Sequence, residues 1–141
     1  DRFANQEVSF LLQRLEVFEG CAILTTNFQE NIDEAFLRRF GAVIEFPMPS
    51  PVERRKLWDR AIPSGAPKDP DLSIEDLAKN FDIAGGNIIS AAINGCIIAS
   101  TRREPVAMRH IVEGIARELV KMGKQVSPVH FGKYYEFVKG L

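Results

Sequence analysis

The chain has 141 residues, 45% of them hydrophobic, which is enough for one ordinary domain or two small subdomains with a folded core. Its 18 basic residues nearly balance its 19 acidic ones, so the net charge of −1 gives no bulk electrostatic attraction to nucleic acid or to a membrane surface. No apolar run reaches the roughly 20 residues that cross a bilayer, and no signal-peptide pattern opens the sequence, so we expect a cytoplasmic protein.

The two cysteines give no sign of a disulfide or metal framework. Cys21 and Cys96 lie far apart, and each is surrounded by aliphatic residues. No Cys-x-x-Cys motif and no Cys/His pair at ligand spacing is present. This usage favours two buried, reduced thiols over a disulfide or a metal site.

The first third of the sequence alternates between helix-like and strand-like segments. Residues 4–18 place apolar side chains at helical spacing. Residues 21–26 and 42–46 are short apolar runs that we interpret as buried strands, and a short helix through Phe40 separates them. This order is typical of a mostly parallel, doubly wound sheet, although two strands are too few for a complete one.

Prolines at positions 47, 49 and 51 separate this α/β part from a helical remainder. Ser50, Pro51 and Glu53 form a helix start, with a capping hydroxyl, a first-turn proline and an acid at the third helical position. We therefore divide the chain into residues 1–49 and 50–141. The helical segments predicted in the second part are 51–62, a short helix capped by Ser73, about 87–101, about 105–121, and a partly helical tail from 127 to 141.

Polar residues at the ends of predicted elements could carry chemistry, but each has an ordinary structural explanation as well. Asn27 follows a predicted strand, where it could orient a water or phosphate oxygen or simply start a loop. Arg38 and Arg39 end a short helix, where they could complete a neighbour's phosphate site or remain solvated at the helix dipole. Backbone N–H groups at Gly85-Gly86-Asn87 could face an anion or an adenine edge, or form a plain turn.

The polar residues of the first part also follow one another at characteristic offsets. The series reads Asn27, then Ile32-Asp33, then Ala35 and Arg38-Arg39, then a strand-like run and prolines. This series closely resembles the second region of homology of the AAA+ ATPases, which takes the form Thr-x-Asn, an Ile/Leu-Asp pair, and Ala followed by one or two Arg. The resemblance covers about residues 1–121, because the helical remainder is also similar to the lid subdomain of that family.

The resemblance implies a fold class for each part of the chain. Residues 1–49 would be an α/β remnant of a P-loop NTPase sheet, with two parallel strands and flanking helices. Residues 50–141 would be an all-α lid bundle. The chain would thus hold the end of a nucleotide-binding subdomain followed by the lid.

The resemblance also implies roles for individual residues. Asn27 would be the sensor-1 residue that positions the attacking water near the γ-phosphate of ATP. Arg38 or Arg39 would be the arginine finger that reaches the ATP of the adjacent protomer. The residues implied to contact adenine and ribose from the lid are Ile83, Gly85, Gly86 and Asn87.

Some positions depart from the family pattern. Arg38 lies five residues after Asp33, as the first finger of many members does, but Gly41 stands where many members have a second arginine. Both Arg38 and Arg39 therefore stay candidates for the finger. Residues 87–100 contain no basic side chain, so a sensor-2 arginine is absent or comes from elsewhere.

Two motifs that hold the nucleotide are missing from the sequence. It contains no Gly-x-x-x-x-Gly-Lys-[Ser/Thr] and no apolar strand ending in Asp-Glu, which serve the phosphates, the magnesium ion and the attacking water. We therefore expect this chain to be the C-terminal half of a longer protein and to be inactive alone. Mg²⁺ would be held by residues outside this chain.

The function that the resemblance implies is ATP hydrolysis in a homo-oligomeric ring, expected to be a hexamer, that remodels an unidentified protein partner without a membrane or nucleic acid. An alternative is a degenerate, non-catalytic AAA+ module that regulates or scaffolds a ring. A DNA-binding helical domain of the replication-initiator kind is a weaker alternative, because the charge is balanced and no helix is basic.

Overall fold

The computed structural model describes residues 10, 13–15, 17–27, 37–38 and 40–141. The chain divides into two compact units, Asp1–Phe46 and Pro47–Leu141, and each is described by itself. In the described part of the first unit, residues 13–15 are helical, whereas residues 18–27 and 40–46 form neither helix nor strand. The helices predicted at 4–18 and up to Phe40 fall largely outside the described residues.

The predicted fold class is wrong, because the described residues contain no strand and no parallel sheet. The runs 21–26 and 42–46 are irregular, and their apolar side chains are exposed, with Ile23 at 85%, Ile44 at 74% and Phe46 at 90%. A short parallel strand is stable only when neighbouring strands take its backbone hydrogen bonds and helices cover its faces. Among the described residues, neither run has a neighbouring strand that could supply this support.

The second unit is helical, and the helices predicted after Pro51 are confirmed. Among the described residues no helix is long and apolar enough to cross a membrane. We label the helices α1 (Pro51–Ala61), α2 (Ile74–Asn80), α3 (Gly85–Arg102), α4 (Met108–Lys121) and α5 (Pro128–Phe131), followed by a 3₁₀ helix (Gly132–Phe137).

Helices α1 and α2 begin where local capping signals place them. The Ser50 hydroxyl accepts from the backbone N–H of Glu53 at 3.4 Å, and the Glu53 carboxylate accepts from the backbone N–H of Ser50 at 2.8 Å. The Ser73 hydroxyl accepts from the backbone N–H of Asp76 at 3.1 Å. Each bond satisfies a donor that would otherwise lack a partner at a helix start, which is why both starts were predictable.

Helix α4 begins later than the sequence indicates, at Met108 instead of Pro105. The backbone N–H of Val106 donates to the carbonyl of Pro67 at 2.7 Å, and the N–H of Asp69 donates to the carbonyl of Val106 at 3.0 Å. This extended pairing with the α1–α2 connection holds the chain out of helical geometry. A distant segment therefore sets the start of α4.

The core of the second unit is organised by a close crossing of α3 and α4. A Cβ atom built on Gly114 would lie 2.3 Å from the carbonyl oxygen of Ala91, and one built on Gly95 would lie 2.9 Å from the carbonyl oxygen of His110. Both distances are below any normal contact, so only glycine permits this approach. The fully buried side chains around the crossing and the neighbouring helices include Trp58, Leu77, Ile88, Ile111 and Ile115.

The C-terminal tail packs on α2 through aromatic and polar contacts. The Phe81 ring lies 5.6 Å from the Phe131 ring and 5.8 Å from the Tyr134 ring, measured between centroids. The Tyr134 hydroxyl donates to the Asp76 carboxylate at 2.5 Å, and Lys133 Nζ donates to the same oxygen at 2.9 Å. The tail is therefore part of the packed unit.

The first prediction concerns the glycine crossing. Gly114→Ala places a methyl group against the Ala91 carbonyl, and because backbone cannot move aside cheaply we expect a loss of about 1–3 kcal/mol in the free energy of unfolding. Thermal unfolding followed by far-UV circular dichroism should show Tm lower by about 4–8 °C for each kcal/mol.

Gly86→Ala is the matched control, since it is also a glycine in a helix but no atom lies within 4 Å of its built Cβ. Alanine has the better helix propensity, so this variant should unfold at the same or a slightly higher temperature. Equal Tm values for the wild type and Gly114→Ala would contradict the close crossing.

The second prediction concerns acid stability. Hydrogen bonds from Tyr134 and then Lys133 lower the pKa of Asp76 below its ordinary value of 3.8. A carboxyl whose pKa is lower in the folded state stabilises the fold above its unfolded pKa, and this stabilisation is lost as the pH falls through the folded pKa. Tyr134→Phe should therefore reduce the free energy of unfolding at neutral pH, and its difference from wild type should shrink below about pH 4.

Urea unfolding at a series of pH values measures this difference. Tyr135→Phe serves as the control, because Tyr135 is a partly buried neighbour on the same 3₁₀ helix and should leave the pH dependence unchanged. A Tyr134→Phe effect of the same size from neutral pH to well below pH 4 would show that the Asp76 bond does not contribute.

Candidate functional site

The candidate site is the N-terminal turn of α3, which holds four of the residues singled out in the sequence. Ile83 is 7% exposed and belongs to the core. The N-cap residue Ala84 is extended, with φ −67° and ψ 157°, and its carbonyl accepts from the N–H of Ile88 at 3.0 Å. Gly85, Gly86 and Asn87 form the first helical turn, so α3 begins two residues earlier than predicted.

The start of α3 has no side-chain cap. Ala84 carries no hydrogen-bonding side chain, and the first turn contains no acidic residue. The first N–H groups of a helix have no intrahelical acceptor, and the helix dipole gives this end a partial positive charge. The turn thus presents donors to an electron-rich group.

Space is also available at this turn. A Cβ built on Gly86 would meet nothing within 4 Å, and one built on Gly85 would reach only Leu57 Cδ1 at 3.5 Å. Asn87 Nδ2 donates to the thioether sulfur of Met122 at 3.6 Å, and a thioether is a weak acceptor. The turn is therefore not blocked by neighbouring side chains at Gly86.

Sequence reasoning missed Arg54, which supports the segment leading into this turn. Arg54 is 6% exposed, and its Nε donates to the carbonyl of Ala78 at 2.9 Å. Its Nη1 donates to the carbonyl of Pro49 at 2.6 Å and to Asp82 Oδ1 at 2.8 Å. One signal was available, because Arg54 lies four residues before the buried Trp58 on the same helix face, where a cation needs acceptors.

The other predicted site residues lie in the first unit. Asn27 is exposed in a bend, and Arg38 is exposed in a turn that follows Leu37. Arg39 lies outside the described residues. The structure therefore brings together the four residues at the start of α3, while Asn27 and Arg38 belong to a unit that is described by itself.

A second concave region offers little chemistry. It is an apolar groove of about 370 Å³ between the end of α1 and the C-terminal half of α3, lined mainly by Ala61, Ile93, Cys96 and Ile97. Burial raises the pKa of the Cys96 thiol, which disfavours the reactive thiolate form. None of the predicted site residues lines the groove.

The described residues hold no metal cluster and no disulfide. No group of three or more His, Cys, Asp or Glu side chains in the described ranges could bind a metal ion. Cys96 is partly buried, whereas the predicted burial of Cys21 is wrong, because Cys21 is exposed in an irregular segment.

Comparison with known proteins gives a distant relative. No protein-family model matches the chain. The meiotic spindle formation protein mei-1 of Caenorhabditis elegans is 28% identical over 105 residues, which cover 70% of this chain. The chain spans 22% of the length of that relative. Since mei-1 is an AAA-family protein, the similarity is a weak and partial link between this chain and that family.

The third prediction tests the uncapped helix start. Ala84→Thr adds a hydroxyl that can accept from a first-turn N–H of α3, whereas Ala84→Val has the same shape without an acceptor. The extended backbone at Ala84 suits either β-branched residue. We expect the Thr variant to exceed the Val variant by about 0.5–2 kcal/mol in the free energy of unfolding, measured by urea denaturation. Identical stabilities would mean that the first-turn donors are already satisfied.

Proposed function

We propose that this chain is the C-terminal portion of an AAA+ ATPase and that it contributes a sensor-1 residue, an arginine finger and a lid to ATP hydrolysis in a ring oligomer. The observation that carries the proposal is the spaced series from Asn27 to Arg38-Arg39 followed by a separate helical unit. The 28% identity to mei-1, an AAA-family protein, supports the link to the AAA family but not the individual roles. Residues 1–49 would belong to the nucleotide-binding part, and residues 50–141 would be the lid.

The proposed roles match the chemistry of the side chains. The Asn27 amide carries both a donor and an acceptor, so it can orient a water against the γ-phosphate without changing charge. The guanidinium of Arg38 or Arg39 stays charged at any working pH and stabilises the charge of the transferring phosphoryl group. In a ring the first acts in its own protomer and the second in the site of its neighbour.

The lid contributes the turn from Ile83 to Asn87. The open backbone donors of the turn suit the polar edge of an adenine ring, and Ile83, whose side chain is buried in the core, would contribute through its backbone. Mg²⁺ does not fit the described residues, since they hold no cluster of acidic or histidine ligands. ATP would be bound at its phosphates, with its Mg²⁺, by residues outside this chain, because the sequence lacks the P-loop and the Asp-Glu strand end that serve them.

A non-catalytic AAA+ module is the second candidate function. The observation that favours it is the absence of a P-loop motif and of an Asp-Glu strand end from the sequence. Such a module would regulate or scaffold a ring, and its Asn27 and arginines would not affect turnover. The two functions therefore differ in one measurable property, the dependence of ATP hydrolysis on these side chains.

The fourth prediction is trans complementation in the full-length protein. Asn27→Ala alone and the double variant Arg38→Ala/Arg39→Ala alone should each lose ATPase activity, the latter by about 10³-fold or more. Mixing the two variants should restore activity, because about a quarter of randomly assembled heterologous interfaces then pair an intact Asn27 with a neighbour's intact arginines.

Arg55→Ala is the control for loss of an exposed arginine, as its side chain is 63% exposed, and it should retain full turnover. Variants that all hydrolyse ATP at the wild-type rate would support the non-catalytic module instead. Inactive variants that stay inactive on mixing would contradict a site shared between protomers.

A further inference from the structure

Arg54 is the one arginine or lysine that is buried among the described residues. A guanidinium loses its hydration when it is buried, so it is retained only where protein acceptors replace the water. Arg54 has such acceptors within 2.6 to 2.9 Å. Its neighbour Arg55, by contrast, is exposed and pairs loosely with Glu75 at 3.4 Å.

The three acceptors of Arg54 come from three separate segments of the second unit. Pro49 lies in the proline-rich segment that leads into α1, Ala78 lies in the last turns of α2, and Asp82 lies in the connection between α2 and α3. The guanidinium is planar and its N–H groups point in fixed directions, so it holds these segments at set positions. A lysine could not reach all three acceptors in this way.

Asp82 immediately precedes Ile83 and the first turn of α3. Its side chain is 77% exposed, so little packing restrains the carboxylate. The ion pair with Arg54 at 2.8 Å sets the position of this carboxylate. Asp82 lies between the core residues Phe81 and Ile83, so packing and the bond to Arg54 together place the residue directly before the turn. The bond is the part of this support that a substitution at the exposed Asp82 side chain can remove without changing a core side chain.

We propose that Arg54 is a positioning residue that sets the adenine-contacting turn relative to the proline-rich segment at Pro47–Pro49. This inference rests on the proposed function. A movement of the Pro47–Pro49 segment would be transmitted through the Arg54 side chain to the turn that contacts adenine. The conformation of this segment and the affinity for the adenine ring are therefore linked. Arg54 itself touches no nucleotide.

The test compares two ligands in the full-length protein, ATP and inorganic triphosphate, both with Mg²⁺. Arg54→Lys keeps the charge but loses the fixed fork, and we expect it to weaken ATP binding by about tenfold or more, since misplacing a positioning group is costly. Binding of triphosphate, which has no base to contact the turn, should stay within about twofold of wild type. Isothermal titration calorimetry measures both dissociation constants.

Two further variants show whether the effect of Arg54→Lys comes from the bond between Arg54 and Asp82. Asp82→Asn preserves shape at a largely exposed position and should weaken ATP binding selectively, by less than Arg54→Lys does. Arg55→Lys should leave the dissociation constants of both ligands unchanged. Because the phosphates are held outside this unit, an unfolded lid would also weaken ATP selectively, so a role that is only structural is recognised by a lower Tm and a loss of helical circular dichroism that accompany the loss of ATP binding.

The possible outcomes separate the inference from the proposed function. Selective loss of ATP binding in both Arg54→Lys and Asp82→Asn, at a wild-type Tm and circular dichroism spectrum, supports the positioning role. ATP binding that is unchanged in both variants, or that is lost only together with Tm or with triphosphate binding, overturns the role of Arg54 while leaving the proposed function in place. If the wild-type protein binds triphosphate and ATP with equal affinity, or binds neither ligand, the proposed contact between the turn and adenine is overturned together with the role of Arg54.

Discussion

The close approach of α3 and α4 at Gly95 and Gly114 is the constraint on which the second unit depends. Because neither position has room for a Cβ, the two backbones meet in van der Waals contact and fix the axis of α3 in the middle of its length. Paired carboxylates flank the crossing: Glu113 accepts from Arg102 and Arg117 at 2.9 Å each, and Glu118 accepts from Asn94 at 3.3 Å. Because the crossing fixes the axis of α3, it also fixes the position of the first turn of that helix.

The segment that leads into this first turn is held by hydrogen bonds instead of by packing alone. Arg54 bonds Asp82, which lies shortly before the first turn of α3. Packing sets the direction of α3, and the hydrogen bonds of Arg54 restrain the segment that leads into it.

Sequence reasoning succeeded where the determining interaction is local. The starts of α1 and α2 follow from Ser50 and Ser73, whose caps bond residues three positions away. It failed where distant segments decide. The runs around Ile23 and Ile44 have the composition of strands, but a strand forms only beside other strands. Helix α4 begins later than predicted because Val106 pairs with the α1–α2 connection. Arg54 was missed for the same reason, because its acceptors lie up to 28 residues away.

The most direct test of the proposed site is to locate the adenine ring of bound ATP. Photolabelling of the full-length protein with an azido-adenine analogue of ATP, followed by tryptic digestion and mass spectrometry, reports the residues beside the base. We expect label on the peptide from Asn80 to Arg102, within the turn from Ile83 to Asn87, and competition by unlabelled ATP. Label confined to other peptides, or labelling that ATP does not displace, would contradict it.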